Sequence, residues 1–166
     1  PQERHQLGRA RYLETVTRSL GVHDLAVLLY LVGTPPRHIF ASGHCGLQKQ
    51  VEDDVYVHLA FDEEIKAHLH NSWLWPENRR RLTVVGEKGM LVYDESCGRV
   101  EWHHKTIDAE LNHHDEGSEV VFEGSDPPLR RELEHFLECL ETRGTPISDG
   151  RNGLLVVETL ERILMI

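Results

Sequence analysis

Val55, Val57, Leu59 and Phe61 alternate with Tyr56, His58 and Ala60, and a few residues later Ile65, Ala67 and Leu69 alternate with Lys66, His68 and His70. A hydropathy period of two belongs to a strand whose faces meet different surroundings. Keeping both apolar rows on one face puts Phe61 opposite Ile65 and leaves Asp62-Glu63-Glu64 as the turn. That register sets His58 across from His68 and Tyr56 across from His70, with Lys66 and Ser72 extending the same face. The chain must therefore build a sheet with one face buried under another layer and one polar face left open.

The other elements follow from punctuation and period. Arg9 to Arg18 reads as a strand on its Tyr12, Thr15, Val16 and Thr17 side chains. His23 to Val32 reads as a short buried helix stopped by Gly33 and Pro35-Pro36, and Arg37 to Ser42 as a strand. Leu82 to Val85 and Met90 to Tyr93 flank a turn over Gly86 to Gly89, giving a second hairpin. Val100 to Trp102 and Glu119 to Phe122 read as short strands, with the polar stretch His103 to Gly117 between them as a loop or ragged edge. Asp126 followed by Pro127 predicts a helix start, and Leu129, Leu133, Phe136, Leu137 and Leu140 mark its buried face, with Cys139 buried beside them. Ser148 or Asp149 caps a last helix with Leu154, Leu155, Val157, Leu160 and Ile163 as its apolar positions. Strands followed by amphipathic helices predict an α+β two-layer sandwich: a mostly antiparallel open sheet with helices on one face.

Composition excludes several classes of function. The 166 residues fit a single domain, 1–166, and a formal net charge of −10 argues against nucleic acid. The one basic run, Arg79-Arg80-Arg81, lies between acidic stretches. No apolar run approaches the roughly 18–20 residues of a membrane span, and Pro1 to Arg11 is too polar for a signal peptide. Cys45, Cys97 and Cys139 are odd in number and form no CxxC, which suggests a reducing cytoplasm and gives no zinc knuckle or redox pair. The twelve histidines include the neighbours His103-His104 and His113-His114, but adjacent strand residues point to opposite faces and do not converge on one ion, so no metal is expected.

Several segments, in order along the chain, resemble the carboxy-terminal domain of Gfo/Idh/MocA oxidoreductases. Gly21-Val22-His23-Asp24-Leu25, running into Leu28 to Gly33, resembles the helix that carries the family's active-site histidine. Val51 to Val57, Ser72-Trp73-Leu74-Trp75-Pro76, Arg80 to Gly86 with Lys88-Gly89-Met90, and Pro128 to Leu133 with Pro146, Ser148-Asp149-Gly150 and Gly153 continue the likeness. The resemblance implies a sugar or nucleotide-sugar dehydrogenase in which a separate Rossmann domain binds NAD or NADP. This domain then holds a carbohydrate and mediates assembly. It implies a catalytic role or remnant for His23, a general acid–base group titrating near neutrality. Ser19 stands where the family often has an aspartate, the family lysine belongs to the Rossmann half, and no GxGxxG follows any strand, so no cofactor is expected to bind this chain alone. Candidate substrate-binding residues are Trp73 and Trp75, which line a sugar pocket or belong to the core, and Arg80 and Arg81, which meet a phosphate or ion-pair at a strand start. The family's pairing through its open face makes Tyr56, His58, Lys66, His68, His70 and Ser72 a candidate homo-oligomer interface. The alternative is a non-catalytic homo-oligomeric module that binds a sugar or a protein.

Overall fold

The computed structural model describes residues 2–5, 14–62, 65–124 and 127–166, the first four by backbone alone. Its strands are β1 (Gln2–His5), β2 (His38–His44), β3 (Asp54–Ala60), β4 (Lys66–Ser72), β5 (Arg79–Gly86), β6 (Gly89–Asp94), β7 (Arg99–Ile107) and β8 (His113–Glu123). Its helices are α1 (Val22–Val32), α2 (Pro128–Thr142) and α3 (Gly150–Leu164), and a π-helical turn over Thr17–Gly21 leads into α1. The strands form one eight-stranded sheet in the order β2-β3-β4-β1-β5-β6-β7-β8. Neighbours are antiparallel except β1 with β4, so β1 joins a three-stranded half to a four-stranded half. The fold is α+β.

The first hairpin has the register its alternation dictates. His58 pairs with His68, Tyr56 with His70, and the Phe61 N–H donates to the Ile65 carbonyl at 2.9 Å. Glu63 and Glu64 of the turn lie outside the described residues. The apolar row, Val55, Val57, Leu59 and Leu69, packs under α1 through Leu25, Leu28 and Leu29 and under α3 through Val156, Leu160 and Ile163. Gly33 ends α1 in the left-handed region at φ 79°, its N–H donating to the Leu29 carbonyl. Asp149 caps α3 by accepting from the N–H groups of Arg151 and Asn152. The buried stripe of α3 runs through Val156, Thr159, Leu160 and Ile163, which keeps Leu160 and Ile163 of the expected row with Leu155 half-buried and leaves Leu154 and Val157 exposed.

Four other expectations are corrected. Thr17 and Arg18 are helical, not strand, while residues 9–13 lie outside the described ones. His103 to Gly117 is mostly strand: β7 continues to Ile107 and β8 starts at His113. Every residue of β8 is exposed, so water meets both faces and hydropathy has nothing to alternate between. Cross-strand pairs hold this edge together, among them Lys105 with Asp115 at 2.8 Å and His104 with Glu119 at 3.0 Å. No residue of α2 is buried: Leu129, Leu133, Phe136, Leu137 and Leu140 are all exposed, and Cys139 is half-buried. The α2 helix begins at Pro128, while Asp126 lies outside the described residues.

Two turns in the four-stranded half carry predictions. Gly89 follows the two-residue tip Glu87-Lys88 at φ 142°, and a Cβ there would stand 2.5 Å from the His103 carbonyl oxygen. Gly89→Ala is expected to cost about 2 kcal/mol, the scale of one strained backbone position, read as a lower urea midpoint. Asp108 closes the β7–β8 turn by accepting from the N–H groups of Glu110 and Asn112 and from His114 Nε2 at 2.8 Å. The His114 hydrogen bond, then the Asn112 N–H, holds its carboxyl below the ordinary carboxylate range. A depressed folded pKa adds stability that is present above the unfolded value of about 3.9 and is lost as pH falls through the lower folded value. The Asn112 amide should therefore lose protection from hydrogen exchange in acid below that of neighbouring β7 amides, and Asp108→Asn should abolish the pH dependence.

Candidate functional site

His23 lies in the first turn of α1 with its side chain exposed. The next residue, Asp24, is fully buried and shares the inward stripe of Leu25, Leu28 and Leu29. Its Oδ2 accepts a 2.6 Å hydrogen bond from Nδ2 of Asn71 on β4, which is also fully buried. The other amide atom, Asn71 Oδ1, has no hydrogen-bond partner among the described residues. It would stand 2.9 Å from a Cβ at Gly21, so only glycine lets the π-helical turn pass so close. Asn71 thus fixes the start of α1 from beneath while His23 projects from it. Sequence reading passed over this pair. The available signal was a carboxylate on the buried stripe of a helix, four residues before Leu28, where an unpartnered carboxyl is too costly to persist. Ser19, four residues before His23, sits in the π-helical turn, where spacing differs from that of an α-helix.

The other candidate residues separate. Trp73 is 7% exposed and belongs to the core. Trp75 is 38% exposed and meets the His70 ring edge-on at 5.9 Å. His70 stacks on Tyr56 at 3.9 Å and its Nε2 lies 3.0 Å from Asp54 Oδ1. Arg80 and Arg81 are consecutive in β5 and so point to opposite faces, which prevents them from gripping one phosphate together. Arg80 pairs with Glu95 at 2.8 Å. A hydrogen bond from Ser96, and more weakly the charges of Arg81 and Arg79, hold the Asp94 carboxyl below its ordinary range.

On the open face His58, His68, Lys66 and Tyr56 are exposed, and His70 is half-buried. Phe40 on β2 pairs with His58 and widens this ring-rich surface. Ser72 keeps its place in the β4 register, opposite Asp54, but is buried. It is 1% exposed, and its Oγ accepts from the Leu74 N–H as the chain turns into Trp73. Nδ1 of His58 and Nδ1 of His68 are 2.6 Å apart. Partial burial, then the charges of His58 and Lys66, lower the His68 pKa from its ordinary value. Asp53, also fully buried, organises the loop before β3 by accepting from the Gly46 and Leu47 N–H groups.

With this geometry, comparison with known proteins is informative. The family profile of the GFO/IDH/MocA C-terminal domain matches residues 3–92, spanning the His23 helix, the first hairpin and β5–β6. The chain belongs to this family. It is similar to a D-xylose 1-dehydrogenase [NADP(+)] of Haloarcula marismortui, 22% identical over 147 residues that cover 87% of this chain and 39% of that protein. Among solved structures it resembles a UDP-N-acetylglucosamine 3-dehydrogenase from Acidithiobacillus ferrooxidans, with TM-score 0.84 and 21% identity over 99% of this chain and 51% of that one. It also resembles an NAD-binding protein from Listeria innocua, with TM-score 0.72 and 17% identity over 99% of this chain and 55% of the other. The chain therefore spans about half the length of these solved relatives or less of the curated one, and the structural likenesses establish a shared fold. Among the described residues no helix is long and apolar enough to cross a membrane.

Proposed function

We propose that this chain is the substrate-binding and oligomerisation domain of a cytoplasmic NAD(P)-dependent sugar oxidoreductase, and that it turns over only beside a nucleotide-binding domain. The observation that carries the reading is the placement of His23. An imidazole stands exposed at the start of a helix whose next residue is pinned in the core, so it is held firmly yet open to a substrate hydroxyl. In that role one ring nitrogen takes the hydroxyl proton as the carbon is oxidised and returns it in the reverse direction. Trp75 is the exposed aromatic best placed to meet a sugar ring, and Tyr56, His58, Lys66, His68 and His70 face a second copy.

The described residues of this chain do not fit a dinucleotide, and no hydride-transfer step is assigned to them. A pyrophosphate site needs free N–H groups at a helix start. Asp149 already occupies the start of α3, prolines 127 and 128 remove donors from the start of α2, and α1 continues from the helical turn before it.

The test joins the chain to a nucleotide-binding domain of the family and assays cofactor-dependent oxidation of UDP-N-acetylglucosamine and D-xylose. The fusion should be active, His23→Ala should lower kcat by roughly 100-fold or more, and the unfused chain should show no saturable micromolar binding of either cofactor by calorimetry. Micromolar cofactor binding by the unfused chain, or an active fusion indifferent to His23→Ala, would refute the reading.

A further inference from the structure

The open face holds two imidazoles nitrogen to nitrogen. His58 and His68 are directly opposite across β3 and β4, both are exposed, and their Nδ1 atoms are 2.6 Å apart. Two ring nitrogens this close need something electron-poor between them. A proton suffices when one ring presents Nδ1–H and the other a lone pair. A divalent transition cation takes both lone pairs at once, each ring then keeping its proton on Nε2, and imidazole is a common ligand for zinc, nickel and copper(II). Nitrogen ligands about 2.0–2.1 Å from a tetrahedral zinc are about 3.3 Å from each other. The rings must therefore open by less than about 1 Å, which exposed side chains manage by small rotations within their rotamer wells.

Two ligands fill half of such a shell. Among the described residues, no three or more His, Cys, Asp or Glu side chains are gathered to hold an ion. Of the other imidazoles on this face, His70 is engaged with Asp54 and Tyr56, and His38 and His44 lie opposite Ala60 and Asp54. The described residues supply no third ligand. A second copy offers the same pair by symmetry, because in a two-fold contact each residue near the axis meets its own mate. Charge favours this arrangement. Two copies of a chain with net charge −10 repel each other, and a dication at their contact offsets part of that repulsion.

We propose that His58 and His68 are half of a divalent transition-metal site, completed by the His58 and His68 of a second copy. The inference rests on the pairing of copies through the open face proposed above, and the experiment separates the two. Untagged chain, stripped with chelator, is titrated with zinc chloride by calorimetry, and its mass is followed by light scattering with and without zinc. One zinc should bind per two chains, and dimerisation should tighten by about tenfold or more. The double variant His58→Asn, His68→Asn should lose both effects while keeping its melting temperature, whereas His104→Asn, His114→Asn in the other histidine-rich region should keep both. Cobalt(II) on the unaltered chain should give the intense visible bands of a tetrahedral site. A dimer equally tight with and without zinc overturns the metal site and leaves the pairing intact. A monomer under both conditions overturns both. One zinc per chain, or binding that survives in the His58, His68 double variant, overturns the shared site.

Discussion

Asn71→Ala should destabilise the chain by about 2–4 kcal/mol, although it removes only a small amide. Asp24 and Asn71 are both fully buried, and the 2.6 Å bond between them ties α1 to β4. A hydrogen bond to a carboxylate is worth about 1.5–3 kcal/mol, and a buried acceptor that loses a donor recovers no water in its place. Truncation also leaves a cavity beside Gly21. Urea denaturation followed by circular dichroism measures the loss. The double variant Asp24→Asn, Asn71→Ala should fall short of additivity by more than about 0.5 kcal/mol, since the residues are in contact. Additive effects would mean that the pair does not act as a unit. Because His23 follows directly on this anchored turn, Asn71→Ala should also lower activity of a fused enzyme more than a remote core change of equal cost.

The parts of the fold legible in the sequence were those where one physical constraint acted alone. The first hairpin was readable to the residue because alternation and turn length leave a single register, and a slip of one would turn Leu69 to water and His70 into the core. The α1 helix was readable because Gly33 supplies the left-handed cap at its end. The long β7–β8 pair was not, since charged and histidine side chains on a doubly solvated edge carry no hydropathy signal. Ser72 keeps the register of its face yet is buried, because alternation sets the side a residue faces and not how far that side is covered. For the candidate site, His23 is a candidate only through resemblance to a family, and the neighbouring Asp24–Asn71 pair was missed because partners 47 residues apart are joined only by the fold.

Helix α2 shows a different limit, and it gives the second large prediction. A repeat of Leu129, Leu133, Phe136, Leu137 and Leu140 says that one face wants cover without saying what covers it. In this chain α1 and α3 already cover the apolar face of the β2–β4 half, and the α2 stripe lies in the open. Leu25→Ala should therefore cost about 3–4 kcal/mol, because Leu25 is fully buried among α1, α3 and the sheet and its neighbours cannot close the void. Phe136→Ala, which removes the larger side chain, should change stability by no more than about 0.5 kcal/mol, because that ring is 53% exposed. Side-chain size alone would rank the two the other way. Urea melts of both variants decide between the accounts. A loss for Phe136→Ala comparable to that for Leu25→Ala would mean that in solution the stripe is covered after all. The dependence of that loss on protein concentration would then tell whether a second copy covers it, because cover supplied by another chain weakens on dilution and cover within one chain does not.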